Sequence, residues 1–283
     1  MMGRLLSILE RLQKVDRRLL YTLVFVGVTL PFYVGWPSVD IQVSPEVEAA
    51  FQTIDAIPPH SYPLLISFDY DPASAAELTP MAEAVLRHAF SRGIRVLAIS
   101  LQYTGQGAGI ASQVLPKIAA EFGAQKDVDW AFLGFQPNAL VAMLQMGEDF
   151  RRTFPVDYYG TPVEQIPLMR PIQNYDQIPA VFSLASTAVG ESWAIYPGSR
   201  YNLTVLLGVT AVYTADIQPF YQSGQVSGVL GGLKGAAEYE KRIDRIADGT
   251  NGMRSQKLVH YMIIVFIVIG NIGYFAMRRG KRA

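Results

Sequence analysis

The stretch PLLISFDYDPASAAELTPMAEAVLRHAFSRGIRVLAISL, residues 63–101, decides the fold. Leu64–Phe68 is a near-continuous apolar run of strand length, and Arg95–Leu101 is a second. Between them, from about Ala73 to Ser91, polar residues interrupt apolar ones at helical spacing, and Gly93 ends the segment. Strands without polar alternation are buried on both faces. Two of them joined by a helix run parallel in one sheet.

The same alternation continues outward. Gly105–Gly109 opens a helix that reaches Phe122 and stops at Gly123, and Asp129–Phe135 reads as a third strand. A helix over Asn138–Phe154 follows, then a long proline-bearing loop over Tyr158–Gln177. Ala180–Ala185 and Leu203–Thr210 read as the fourth and fifth strands, with a shorter helix near Thr187–Tyr196 between them. The pattern predicts an α/β fold, an open doubly wound and mostly parallel sheet. At the level of fold it is similar to flavodoxin-like and Rossmann-like sandwiches. The expected strand order is 2-1-3-4-5, with added edge strands as the alternative.

Two uncharged apolar runs flank this region. Leu19–Trp36 and Leu258–Met277 are each long enough to cross a bilayer as one helix. A basic stretch precedes the first, as in a secretory signal, but Pro37-Ser38-Val39-Asp40 is a poor cleavage site, which favours an uncleaved anchor. Arg4, Arg11, Lys14, Arg17 and Arg18 lie before the first run, and Arg278, Arg279, Lys281 and Arg282 follow the second. The positive-inside rule then places both termini in the cytoplasm of a two-pass cell-membrane protein. The α/β domain, residues 63–252, is expected outside, with 37–62 as a linker carrying a short helix at Pro45–Ile54 and 278–283 as a cytoplasmic tail. Residues 1–18 carry Leu5, Ile8, Leu9, Leu12 and Val15 at helical spacing. They form either an amphipathic helix on the lipid surface or a simple basic flank.

Composition narrows the chemistry. The chain has no cysteine and three histidines, His60, His88 and His260, so thiolate chemistry is excluded and no metal centre or cofactor is expected. Formal charge is zero overall, yet the region between the basic ends keeps 15 basic against 22 acidic residues. That net of −7 disfavours nucleic acid as a partner.

In an open parallel sheet, ligands bind beyond the carboxyl ends of the strands, which directs attention to Asp69, Asp71, Gly107, Asn138 and Thr187. Phe68-Asp69-Tyr70-Asp71-Pro72 resembles the first motif of the haloacid-dehalogenase phosphatases over about ten residues. That resemblance implies a nucleophilic Asp69 and a proton-handling Asp71. It departs at Ala73, and no later acidic pair or placed lysine completes a magnesium site. The simpler reading makes Asp71 a cap for the following helix, with Pro72 in its first turn. The glycine-rich turn at 103–109 is neither a P-loop nor a correctly placed dinucleotide fingerprint, and it reads first as a flexible connection. Ser186 and Thr187 have no histidine placed to serve as base.

Gln225–Ala247 reads as a helix, and Gly224 just before it, Gly228 and Gly232 fall four apart, with Gly231 and Gly235 one row over. Glycines inside a helix cost about 1 kcal/mol each against alanine, so several together suggest close approach of another backbone. The sequence leaves open whether that is the domain's own sheet, another subunit or lipid. Asn271, between Gly270 and Gly273, is a polar residue within the final span, either at a helix–helix contact or bonded within its own helix near the cytoplasmic boundary. The expectation drawn from all this is a membrane-anchored, non-catalytic assembly or scaffold subunit. Its partners would be lipid and either its own copies or other membrane proteins. The alternative is a small-ligand-binding or hydrolytic domain using the strand-end loops.

Overall fold

The computed structural model describes residues 16–36 and 38–280, with side chains through residue 275. The expected amphipathic helix lies outside the described residues up to position 15, as does the end of the basic tail from 281. The chain divides into two compact units, Ile41–Thr250 and a helical unit formed by the segments up to Asp40 and from Asn251 onward.

Ile41–Thr250 is built on one six-stranded, all-parallel sheet covered by helices on both faces. The strands are β1 (Leu64–Asp69), β2 (Val96–Ser100), β3 (Trp130–Phe135), β4 (Val181–Ala185), β5 (Val205–Val209) and β6 (Gly228–Gly231). Along β1, Leu64, Ile66 and Phe68 enter one apolar cluster while Leu65 enters the other. This is the period-2 alternation of a strand buried on both sides, and each such side chain contributes about 1.5–3 kcal/mol. The first face is covered by α2 (Pro45–Asp55), α3 (Ala75–Ser91), α4 (Gln106–Glu121) and α8 (Gly232–Arg242). The second is covered by α5 (Ala139–Met146), α6 (Val189–Trp193), α7 (Thr214–Gln222) and the long 150–178 segment. That segment holds only short helical turns, at Phe150–Thr153, Val163–Gln165, Pro167–Met169 and Tyr175–Gln177, yet it buries Phe150, Phe154, Val163, Ile166, Met169 and Ile172.

The strand order is β3-β2-β1-β4-β5-β6, not 2-1-3-4-5. The third strand pairs outside the second, and the 136–180 crossover returns the chain to β1, where Leu65 faces Val181 and Asp69 faces Ala185. Both orders share one sequence pattern, because they differ only in where β3 lands, outside β2 here and beside β1 in the expected order.

The helix expected over 225–247 is a strand and a helix instead. Gly228–Gly231 is β6, paired with β5 from Leu206↔Gly228 to Val209↔Gly231. The four-residue glycine spacing therefore does not form one helix face. A Cβ at Gly228 would lie 2.5 Å from the Ala50 nitrogen, because α2 rests directly on this strand. Gly231 faces Thr214, Gly235 abuts the Leu230 backbone, and Gly224 sits in an exposed turn at φ +78°. Gly232 has φ +57° where β6 passes straight into α8, a conformation that favours glycine. The Pro45–Asp55 helix, read as part of a linker, buries Val47, Ala50, Phe51 and Ile54 in the domain core.

The second unit contains α1 (Arg17–Val34), and α9 (Asp248–Gly280) supplies its other helix. Asp16 caps α1 through the Arg18 N–H at 2.9 Å. Both helices are long and apolar enough to cross a membrane, yet only 11% and 6% of their apolar windows are buried. A core helix would show the reverse. What burial there is comes from mutual packing. A Cβ at Gly27 would lie 2.6 Å from the Met262 sulfur, and Ser255 Oγ donates to the Val28 carbonyl at 2.8 Å. Small residues that let two helices approach are the usual device for packing in lipid.

The turn expected at Asp248–Gly252 is the first turn of α9. The reason lies in α8. The buried Glu240 carboxylate accepts the N–H groups of Ala247 (3.0 Å), Gly249 (2.7 Å) and Thr250 (2.8 Å) and the Thr250 hydroxyl (2.6 Å). A carboxylate across free N–H groups at a helix start offsets the weak propensity of that Gly- and Asn-containing turn.

Candidate functional site

Every strand of a parallel sheet ends at the same edge, so the loops after β1 to β4 bring Asp69, Asp71, Gly107, Asn138 and Thr187 to one side of the domain. Asp69 is fully buried there. Its Oδ1 accepts the Leu101 N–H at 2.7 Å, and its Oδ2 accepts from Ser183 Oγ at 2.9 Å and Trp193 Nε1 at 3.3 Å. Burial pushes its pKa above the ordinary carboxylate value while these donors oppose the shift. The side chain ties β1 to β4, α6 and the turn after β2, and it is closed off from any substrate. Nucleophilic attack by Asp69, as the phosphatase resemblance implies, has no open approach in this arrangement.

The remaining positions are also engaged in local structure. Asp71 Oδ1 accepts the Ser74 N–H at 3.1 Å, shaping the turn into α3. At Gly107 a Cβ would fall 2.0 Å from the Phe68 carbonyl oxygen and 2.7 Å from Ser100 Oγ, so glycine permits α4 to reach the end of β1. Asn138 has φ +59° and caps α5 through the Val141 N–H at 3.5 Å. Thr187 differs, because its buried Oγ1 finds no partner among the described residues. Asp69 and Gly107 meet around the last residues of β1. Asn138 follows β3, three strand spacings from β4 and Thr187, or about 14 Å at 4.8 Å each. One small ligand would not span that distance between their backbones.

Sequence reading missed a second cluster. His88, buried in α3, stacks on Phe51 at 4.3 Å, with the Tyr239 hydroxyl 2.8 Å from Nδ1 and Asp55 Oδ1 3.3 Å from Nε2. Arg92 pairs with Asp55 at 2.9 Å, and the Arg242 guanidinium lies 3.8 Å from the centre of the Phe51 ring. The connectivity is hydroxyl–imidazole–carboxylate, as in a nucleophile relay. The Tyr239 hydroxyl, however, is wholly buried and its pKa is driven well above the usual value by desolvation. Burial also lowers the His88 pKa, which favours the neutral imidazole. The cluster clasps α2, α3 and α8 together. Its members lie 33 and 151 residues apart, and no local motif marks them.

A shallow cleft of about 170 Å³ lies where α2, α7 and α8 meet the end of β6, lined in part by Ser44, Glu46, Thr214, Gln218, Lys234 and Glu238. Glu238 Oε2 accepts from the Ser44 N–H at 2.9 Å and Oγ at 2.6 Å, and Lys234 Nζ sits 2.6 Å from Oε1. The cleft is below the 300–1,000 Å³ of ordinary ligand pockets, and Lys234 and Glu238 in it are paired with each other. Among the described residues no group of three or more His, Asp or Glu side chains is placed to hold a metal.

Compared with protein-family models, with curated proteins and with solved structures, the chain finds no match.

Proposed function

We propose that the chain is a two-pass membrane protein whose α/β domain lies across the membrane from both ends. In this reading the domain is a non-catalytic assembly or scaffold subunit that binds copies of itself or other membrane proteins. The observation that carries the reading is the helix pair, in which α1 and α9 pack through Gly27 and Met262 and turn their other apolar side chains outward. Water disfavours such a surface and lipid accepts it. Basic flanks at Arg17–Arg18 and Arg278–Arg279 support a cytoplasmic position for both ends.

The strand order 3-2-1-4-5-6 supports a Rossmann-like classification, in which ligands occupy the crevice between β1 and β4. At that crevice the Asp69 carboxylate is bonded to Ser183 and Trp193, which favours a structural over a chemical role. The fold itself does not fix an activity. The ligand-binding alternative retains one observation, the Thr187 hydroxyl that has no partner among the described residues.

Purification from native membranes in mild detergent, with copurifying polypeptides identified by mass spectrometry, tests the proposal. A complex of defined stoichiometry is expected. A monomer whose melting temperature rises with a nucleotide, a sugar phosphate or a divalent metal would contradict it, because a ligand specific to the folded state raises its stability.

A further inference from the structure

Two contacts fix the antiparallel register of α1 and α9: Gly27 against Met262, and Gly35 against Arg254, whose Nη1 lies 3.3 Å from the Gly35 Cβ position. Each step up one helix is matched by a step down the other. Arg254 is therefore level with the end of α1, and Asn271 is level with Arg18. Seventeen residues separate Arg18 from Gly35, about 26 Å at 1.5 Å rise each, close to the roughly 30 Å of a hydrocarbon core. Polar side chains thus mark both ends of the pair. At the Arg18 end, Asn271 Nδ2 donates to the Ile267 carbonyl at 2.9 Å within its own helix. At the other end, Arg254 and Lys257 are about one turn apart on α9 and share a face. Tyr33, 87% exposed, and Trp36, 58% exposed, stand at that same end, as aromatic residues do at headgroup level.

Only neutral oxygens hold the two cations. Arg254 Nη1 donates to Asn251 Oδ1 at 3.0 Å, and Lys257 Nζ donates to the Ser38 carbonyl at 3.0 Å. The buried Arg254 Nε has no partner among the described residues. Neither cation meets a carboxylate among those residues, whereas Arg87, Lys117, Lys234 and Arg242 each do. The carboxyl end of α1 offers about half a negative charge, which offsets only part of two full ones. We infer that Arg254 and Lys257 bind the phosphodiester of an anionic phospholipid at this boundary. The inference rests on reading α1 and α9 as membrane-spanning, and it names a lipid and its binding residues within that reading. A guanidinium presents its N–H groups in a fork that matches phosphate oxygens, and an ammonium one turn away adds the second charge. Lys257 is the last lysine or arginine before the apolar run, and its bond to Ser38 turns the ammonium back toward the headgroups. A lipid of net negative charge compensates the pair, while a zwitterionic one brings a cation of its own.

Trp36 adjoins Gly35 and reports on this site, while Trp130 and Trp193 are buried in the α/β domain. The full chain is reconstituted in vesicles of phosphatidylcholine and phosphatidylglycerol, with one lipid or the other brominated near the headgroup end of its acyl chains. Tryptophan quenching then measures which lipid sits beside Trp36. The expected result is a several-fold preference for phosphatidylglycerol over its share of the bilayer. That preference should fall to near parity when Arg254→Gln and Lys257→Gln are combined, fall in part with Lys257→Gln alone, and survive the combination of Arg254→Lys and Lys257→Arg. Quenching by brominated phosphatidylcholine at the native level confirms that each variant still inserts. Parity in the native chain, or a preference unchanged by either glutamine substitution, overturns the inference and leaves the membrane reading intact. A preference abolished by excess inorganic phosphate assigns the site to a soluble anion and also overturns it. Absence of quenching by either lipid overturns the membrane reading itself.

Discussion

Replacing Asp69 with alanine would strand three buried donors, the Leu101 N–H, Ser183 Oγ and Trp193 Nε1. Each buried donor left unpaired costs about 1–3 kcal/mol, so Asp69→Ala should lower stability by several kcal/mol on chemical denaturation of the detergent-solubilised chain. A catalytic or ligand-only Asp69 would instead leave stability nearly unchanged. His88 predicts a pH dependence. Burial is the main cause of its lowered pKa, Asp55 opposes the shift, and Arg92 and Arg242 reinforce it, with the uncharged Tyr239 hydroxyl on its other nitrogen. As pH falls below the ordinary value of 6.5, the unfolded chain takes up this proton before the folded one. The stability this group contributes is therefore present above pH 6.5 and lost as pH drops toward the folded value. His88→Gln should flatten that part of the denaturation-midpoint profile. None of this was legible at the residue scale. The cap expected at Asp71 is instead a turn bond to the Ser74 N–H, with Ser74 itself at the N-cap, while the partners of Asp69 and His88 come from other strands and helices.

Elements were legible where burial is continuous. Leu64–Phe68, Arg95–Leu101, Asp129–Phe135, Ala180–Ala185 and Leu203–Thr210 each coincide with an observed strand to within two residues at either end, because strands covered on both faces need near-continuous apolar runs. Gly228–Gly231 failed that test, being four residues long and half glycine, and its spacing imitates a helical stripe. The structure gives those glycines separate reasons that mutation can distinguish. Gly228→Leu forces a side chain into the Ala50 backbone and should cost about 1–3 kcal/mol or more, seen as a lower melting temperature. Gly109→Ala, in helix α4 with nothing within 4 Å, should stabilise by up to about 1 kcal/mol. If both substitutions acted alike, the packing of α2 on β6 would be wrong. Likewise Glu240→Gln removes charge from the start of α9 and should weaken the Asp248–Gly252 turn, read as faster amide exchange there.

At the scale of the whole molecule, sequence and structure agree on a parallel α/β sheet and two helices apolar enough to span a membrane. The order of strands was hidden, because nothing local in residues 101–129 says whether β3 will pair outside β2 or cross back beside β1. The central claim is that the acidic domain and the basic ends lie on opposite sides of a membrane. Two single-cysteine variants of the cysteine-free chain test it, one at Val212, which is 89% exposed after β5, and one at Ala283 in the tail. With a membrane-impermeant maleimide on intact cells, Val212→Cys should label at once and Ala283→Cys only after permeabilisation. Labelling of Ala283→Cys from outside, with Val212→Cys protected, would contradict the account.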